Sequence, residues 1–459
     1  MTVEQFWTPI QAEYQKPIRV VDQPDQPAVA FPLVLTPGGP DDSKERILHE
    51  VRSLAAQPGD KDTLSPIRQL LDAHGGAIHF RNLPLRTPQD FSDFLVALAG
   101  TGQNSWIPHV HKGSEVLRKP LAEHVMTANE GPPTHYIGWH NEYSMSAAHP
   151  AYIVLFCQSA PDVGGETAIV NSLALYDRLQ RAEPGFVTSS IKKGIAYKVP
   201  HTAAQENGTL GGAGVYQACA FGPPSDATGV QEPTLVQDSE ETRRQVEERI
   251  RALATLGGWQ EHTTKDQHHL PDWQRRGFDW TWKESGGLEV VHRMPGVRIH
   301  PTQQRPAIFN VSFEQVRPIK KATKELLQSL STRYHNASKF KTFDPPFTYL
   351  DDVGKEVMCW PPHFAGVEKD EPIPKSWLDQ MDKFQRELNS DVKWHIGDVL
   401  LIDVSTIPRS WSIFGSILTA SQNFAVQHAR WAWSGERKVL ASFWDQPGLR
   451  AEPVAQDLS

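Results

Sequence analysis

Cysteine is scarce in this 459-residue chain, which has only Cys157, Cys219 and Cys359. They are odd in number and far apart, so neither a disulfide framework nor a CxxC metal site is implied. A chain without structural disulfides suits a reducing compartment, and the expected location is cytoplasmic. Long hydrophobic runs are missing too. The apolar stretches, such as Tyr152 to Cys157, are far too short to cross a bilayer. Met1 to Pro17 carries no basic segment followed by an apolar one, so no secretory leader is expected. Positive charge is in deficit: 46 Lys and Arg stand against 54 Asp and Glu, a net charge of −8. That balance argues against nucleic acid or an anionic membrane as the main partner. It leaves room for a local basic pocket that takes a small anion. Internal repeats and obvious linkers are also lacking.

What is present suffices for a folded core, because 39% of residues are hydrophobic and only 22% charged. Residues 1–40, rich in Pro and Gln, read as an extended lead-in. Residues 41–459 read as a single domain with a β core and helical additions. Ile47, Val51 and Leu54 give Ser43 to Gln57 a helical period. Ser65 to His74 reads as a helix stopped by Gly75-Gly76, and Ala77 to Arg81 as a short strand. Thr87 caps a helix with Pro88 at its first position, running to Gly100. Tyr152–Cys157 and Glu166–Val170 read as strands joined by a turn at Pro161–Gly165. Asp238 to Leu256 is a charged helix, with Asp238 as its cap and Glu241 three residues on. Arg317–Tyr334 and Pro374–Leu388 are further helices. Asp398–Asp403 and Asn423–Asp445 are again strand-like.

The sharpest local feature is Trp139-His140-Asn141-Glu142. On an extended strand His140 and Glu142 point the same way. An imidazole and a carboxylate so placed can grip one metal, with a third ligand from elsewhere. Such a donor set suits Fe(II) and leaves positions open for substrate and oxygen. Alone the pair is weak, because a polar surface strand in a chain with 19 histidines can carry it by chance. Two further blocks give it context. Pro161 to Thr167 contains Gly164-Gly165-Glu166-Thr167. Asn423 to Arg430 contains His428, and Gly435-Glu436-Arg437 follows.

These three blocks, in this order, resemble the TauD/TfdA family of Fe(II)- and 2-oxoglutarate-dependent oxygenases, in its clavaminate-synthase-like branch. The resemblance spans roughly residues 70 to 445. It implies a double-stranded β-helix, or jelly roll, with iron at its mouth. It implies His140, Glu142 and His428 as the metal ligands, with Glu142 where many relatives have Asp. Arg437 would clamp the distal carboxylate of 2-oxoglutarate, because a guanidinium matches a carboxylate bidentately and stays charged. Thr167 would add a hydrogen bond to the same co-substrate, or simply favour its strand. Asn129, Phe309 and Asn310 match stretches that approach the substrate in relatives. Turn chemistry at Gly131-Pro132 and an ordinary core strand at 307–311 explain them equally well. His109 and His111 also sit at strand spacing, but no carboxylate or cofactor motif accompanies them. His268-His269 lies in a polar loop and reads as solvated.

The implied activity is oxidation of a small organic molecule with O2 and 2-oxoglutarate, by hydroxylation, desaturation or cyclisation. An amino acid or a secondary-metabolite intermediate is the substrate class that the branch suggests. The alternatives are a taurine or sulfonate dioxygenase, a non-catalytic jelly-roll relative, and a cupin-type isomerase or hydrolase. Taurine dioxygenases carry a second Arg four residues past the co-substrate Arg. Here Ala441 stands there, so a sulfonate would be poorly neutralised. One further departure concerns the chain itself. In relatives the strand that ends in Leu401-Ile402-Asp403 runs directly into the equivalent of Asn423. Here Val404–Gln422 intervene. Valine codons begin with GT and a glutamine codon can end in AG, in frame. The segment is therefore suspected to be a retained intron in a fungal source. The alternative is a genuine surface insertion, which loop closure tolerates cheaply.

Overall fold

The computed structural model describes residues 6–19, 27–39, 41–56, 64–101, 105–111, 113, 118–128, 137–144, 146, 149–201, 203, 214–217, 219–222, 238–256, 277–284, 286–299, 305–308, 347–350, 356–359, 363–365, 370–404 and 426–446. Helices start where short polar side chains can satisfy the first free amides. Ser43 accepts from the Arg46 amide at the head of Lys44–Ala55. Thr87 and Asp90 form a reciprocal capping box at the head of Pro88–Ala99. Pro66–Ala73 is followed by Gly75 and Gly76, both with positive φ. Lys375–Leu388 also forms as expected. The cap of Glu240–Leu256 differs from expectation. The Ser239 hydroxyl, not Asp238, accepts from the Thr242 amide at 3.2 Å. The Asp238 carboxylate is drawn instead to the Arg243 guanidinium and the Tyr216 hydroxyl. A charged donor outcompetes a backbone amide for a carboxylate when a serine can cap. The helix expected at Arg317–Tyr334 lies outside the described residues.

Among the described residues the largest sheet has nine strands. Its order is Trp7–Pro9, Leu33–Pro37, Ala77–Phe80, Val399–Asp403, Tyr152–Ser159, Lys438–Asp445, Val125–Thr127 and Pro120–Ala122, with Ile107–Pro108 also paired to Lys438–Asp445. The described residues of the N-terminal segment contribute strands to this sheet. Leu33–Pro37 joins Ala77–Phe80 in parallel, and Trp7–Pro9 forms the sheet edge. A second sheet runs Ser390–Val392, Thr167–Asn171, Val426–Arg430, Ile137–His140, all antiparallel.

Alternation along the strands sets the layers. Tyr152, Val154 and Phe156 pack with Ile47, Val51, Phe91 and Phe94 of the N-terminal helices. Ile153, Leu155 and Cys157 face the other way, onto Ile169, Val392 and Val426 of the second sheet. Ala168, Val170 and Ala429 then turn outward onto Leu175, Phe186, Leu378 and Met381 of the helices beyond. The order is helices, large sheet, small sheet, helices, so both sheets are buried on two faces. This is why their strands read as continuous apolar runs. The chain is mixed α/β and β-rich. None of the described helices is long and apolar enough to cross a membrane.

Candidate active site

The two histidines meet because two strands of the small sheet pair. His140 and His428 are direct antiparallel partners, and such partners point to one face. Their ring centroids are 4.1 Å apart. Glu142 arrives differently from the expectation of one strand face. The strand ends at His140, and Glu142 sits in the turn that follows. Ser144 donates back to Asn141 and Ser146 to Tyr143, and Tyr143 adopts φ +53°. That left-handed backbone folds the chain over so that the carboxylate reaches the imidazoles. Glu142 Oε2 lies 3.3 Å from His428 Nε2 and 3.7 Å from His140 Nε2. One donor atom from each residue lies within 4.8 Å of the others.

The protonation states favour metal binding. His140 Nδ1 donates to the Gly138 carbonyl at 2.8 Å, which orients the ring with Nε2 towards Glu142. Burial pushes the Glu142 carboxyl up, but the imidazoles of His140 and His428 and the charge of Arg118 outweigh it. The net result holds it well below the usual carboxylate range. Burial and the neighbouring His140 push His428 down to about 4, against the pull of Glu142. At neutral pH Glu142 is therefore ionised and His428 neutral.

Arg437 is held from the other side. The turn at Asp162–Gly165 bonds to the Ala432–Ser434 stretch through Asp162 N to Ser434 O and Gly165 N to Ala432 O. Arg437 Nε donates to Gly165 O at 2.9 Å. Gly165 has φ +70°, and a Cβ there would fall 2.8 Å from Arg437 Cδ. Gly165 thus lets the turn and Arg437 approach each other, and Gly164, where a Cβ would fall 2.3 Å from Ala432 O, lets the turn close on the Ala432–Ser434 stretch. Burial pulls Arg437 down to about 10, so it stays charged at neutral pH. Thr167 is buried and pairs with Arg430, two residues along from the Ile169–His428 pair. Its Oγ1 accepts from the Trp394 indole at 3.0 Å, and its own hydroxyl proton is left for another acceptor.

Some expected neighbours have different company. The sequence offered no carboxylate beside His109 and His111. Asp445, from the far end of the chain, lies 2.9 Å from His109 Nδ1, and the Tyr143 hydroxyl lies 2.6 Å from His111 Nδ1. Ala441 is buried on the face shared by both sheets. Asn129, Phe309 and Asn310, like His268 and His269, lie outside the described residues. Sequence reasoning missed Arg118 altogether. Its Nη2 donates to Glu142 Oε1 at 3.1 Å. Nothing in Leu117-Arg118-Lys119-Pro120 marks it, because only folding brings it to Glu142.

Residues 50–406 match the family described as taurine catabolism dioxygenase TauD, TfdA family. A clavaminate synthase-like protein of Arabidopsis thaliana is 32% identical over 138 residues, which are 29% of this chain and 40% of that protein. The chain thus spans well under two thirds of that relative. A taurine dioxygenase from Burkholderia xenovorans overlays with a TM-score of 0.37 at 12% identity, covering 92% of each chain. The PvcB protein from Pseudomonas aeruginosa overlays with a TM-score of 0.38 at 11% identity, covering 98% of each. The family match takes in most of the chain, including His140, Glu142 and Thr167, and the chain belongs to the TauD, TfdA family of dioxygenases.

Proposed function

We propose that His140, Glu142 and His428 hold Fe(II), that Arg437 and Thr167 bind 2-oxoglutarate, and that the enzyme oxidises a small organic substrate. The observation that carries this is the convergence of the three donors. Two imidazoles and one ionised carboxylate, within 4.8 Å of one another, are the donor set that Fe(II) oxygenases use. When bound, the iron activates O2. The overall reaction splits 2-oxoglutarate into succinate and carbon dioxide, with one oxygen atom in the succinate and the other in a hydroxylated product. The chain's own residues bind and orient. Glu142 and the two histidines keep the metal on one face. Arg437 lacks a carboxylate at ion-pair distance among the described residues, so an incoming carboxylate finds a ready, desolvated cation.

The substrate class is an amino acid or a secondary-metabolite intermediate, and Asn129, Phe309 and Asn310 are candidates to touch it. The taurine or sulfonate alternative has less support, since Ala441 offers no charge. The two facing sheets support a double-stranded β-helix. Val404–Gln422 is an insertion in this reading, and residue 406, where the family match ends, supports it. The test is a substrate screen with Fe(II), 2-oxoglutarate and O2, read by succinate formation. His140→Ala, Glu142→Ala and His428→Ala each abolish turnover and weaken Fe(II) binding. Full activity in any one of them removes that residue from the metal shell. No succinate from the parent chain with any substrate would favour the non-catalytic relative.

A further inference from the structure

We infer that Arg118 is a positioning residue that confines Glu142 to one metal-facing oxygen. The inference rests on the reading of His140, Glu142 and His428 as metal ligands. The two carboxylate oxygens of Glu142 have different partners. Oε2 faces both imidazoles, at 3.3 and 3.7 Å. Oε1 accepts from Arg118 Nη2 at 3.1 Å. A carboxylate can bind a metal through one oxygen or through both. Three protein donors would leave open positions on a bound metal for a chelating 2-oxo acid and for oxygen. A Glu142 bound through both oxygens would take one of them. The guanidinium that occupies Oε1 blocks that outcome.

Arg118 is itself held through both terminal nitrogens and one face, although its buried Nε has no partner. Its guanidinium carbon stands 4.5 Å from the centroid of the Phe443 ring. Nη1 reaches the Thr127 carbonyl at 3.4 Å. Tyr143 lies beside it, with its hydroxyl 2.6 Å from His111 Nδ1. His111 packs edge-on against His109, which Asp445 anchors. The side chain is only 10% exposed. Burying a cation so deeply is costly unless it is paired, and Glu142 is the carboxylate it pairs with. A planar guanidinium stacks on a ring and donates sideways at once, which an ammonium does not. The left-handed backbone of Tyr143, next to Glu142, is an uncommon conformation for a bulky residue. It turns the phenol to His111 while the preceding carboxylate turns to the histidines of the cluster.

The test separates metal affinity from co-substrate affinity by calorimetry. Mn(II) is titrated into the metal-free chain, and 2-oxoglutarate into the Mn(II)-loaded chain. Arg118→Met is expected to keep Mn(II) affinity within roughly threefold while weakening 2-oxoglutarate by about tenfold or more. Arg118→Lys keeps the charge and gives the same split on a smaller scale. It carries the test if Arg118→Met does not fold. A loss of general structure would lower both affinities together. Unchanged 2-oxoglutarate binding in the folded variant, or parallel losses of both ligands, overturns the inference. Glu142→Ala is the control for the underlying reading. Mn(II) binding that survives it sinks the metal-site assignment. Its loss there, with parent-like behaviour of Arg118→Met, sinks only the role of Arg118.

Discussion

Gly165 and Arg437 show how one missing side chain can set a binding site. The Arg437 Nε bond to Gly165 O fixes the guanidinium, and no side chain at 165 can sit between them without moving Cδ. Gly165→Ala therefore displaces Arg437 and also forces alanine into φ +70°. It is expected to raise the 2-oxoglutarate requirement about tenfold with little change in the iron requirement. Arg437→Ala has the larger effect, because a buried carboxylate left without its cation costs roughly 2–5 kcal/mol. Steady-state titration of 2-oxoglutarate at saturating iron checks both. An unchanged KM in Arg437→Ala would move the clamp to another residue. The spacing of Arg437 behind His428 makes it readable from sequence, whereas Arg118 carries no such spacing. Its importance exists only as a distance to Glu142.

At the level of elements, the two strands that flank Val404–Gln422 are firmly placed. Arg68 Nη1 bonds Asp403 at 2.6 Å, Asp403 N donates to Gly76 O, and Val404 N donates to Ala151 O. On the other side Val426 pairs with Asn171, the cap of the Ser172–Ala182 helix. Each strand has its own partners, so neither depends on the segment between for its register. A chain lacking Val404–Gln422 joins Asp403 to Asn423, loses the Val404 amide bond and its buried side chain, and keeps the other pairings of both strands. It is expected to fold, to bind Mn(II) as tightly as the full chain, and to form succinate at least as fast. Circular dichroism, metal titration and the succinate assay check this. A deletion that does not fold would make the segment a structural element. Transcripts that keep its codons would remove the intron reading.

For the whole molecule, buried imidazoles set the acid response. Burial lowers His74, His79, His111 and His428 below their ordinary value of 6.5. His79 is wholly buried between the Tyr14 hydroxyl and Asp398. The folded chain refuses protons that the unfolded chain accepts below 6.5, so stability rises with pH up to that value and is flat above it. Asp398, lowered in the fold, adds its own loss only at more acid pH. The midpoint of urea unfolding of the metal-free chain should therefore start to fall below pH 6.5. His79→Gln should flatten part of that slope. A midpoint constant down to the carboxylate range would contradict this account.

Several features were settled by the sequence alone, because they depend on local chemistry. Short polar caps and a proline set the helix starts at Ser43 and Thr87, and two-faced apolar runs such as Tyr152–Cys157 mark buried strands. The order of the His140-Glu142, Gly164-Gly165 and His428–Arg437 blocks marks the family. Tertiary structure decided whatever depends on distant partners. It moved the Glu240–Leu256 cap to Ser239 because Arg243 claims Asp238. It placed Glu142 in a turn, not on the strand, since backbone bonds from Ser144 and Ser146 close there. It gave His109 a carboxylate from Asp445 and Glu142 a guanidinium from Arg118. Local sequence fixes backbone propensity, but a charge finds its partner through burial, where an unpaired ion is too costly to persist.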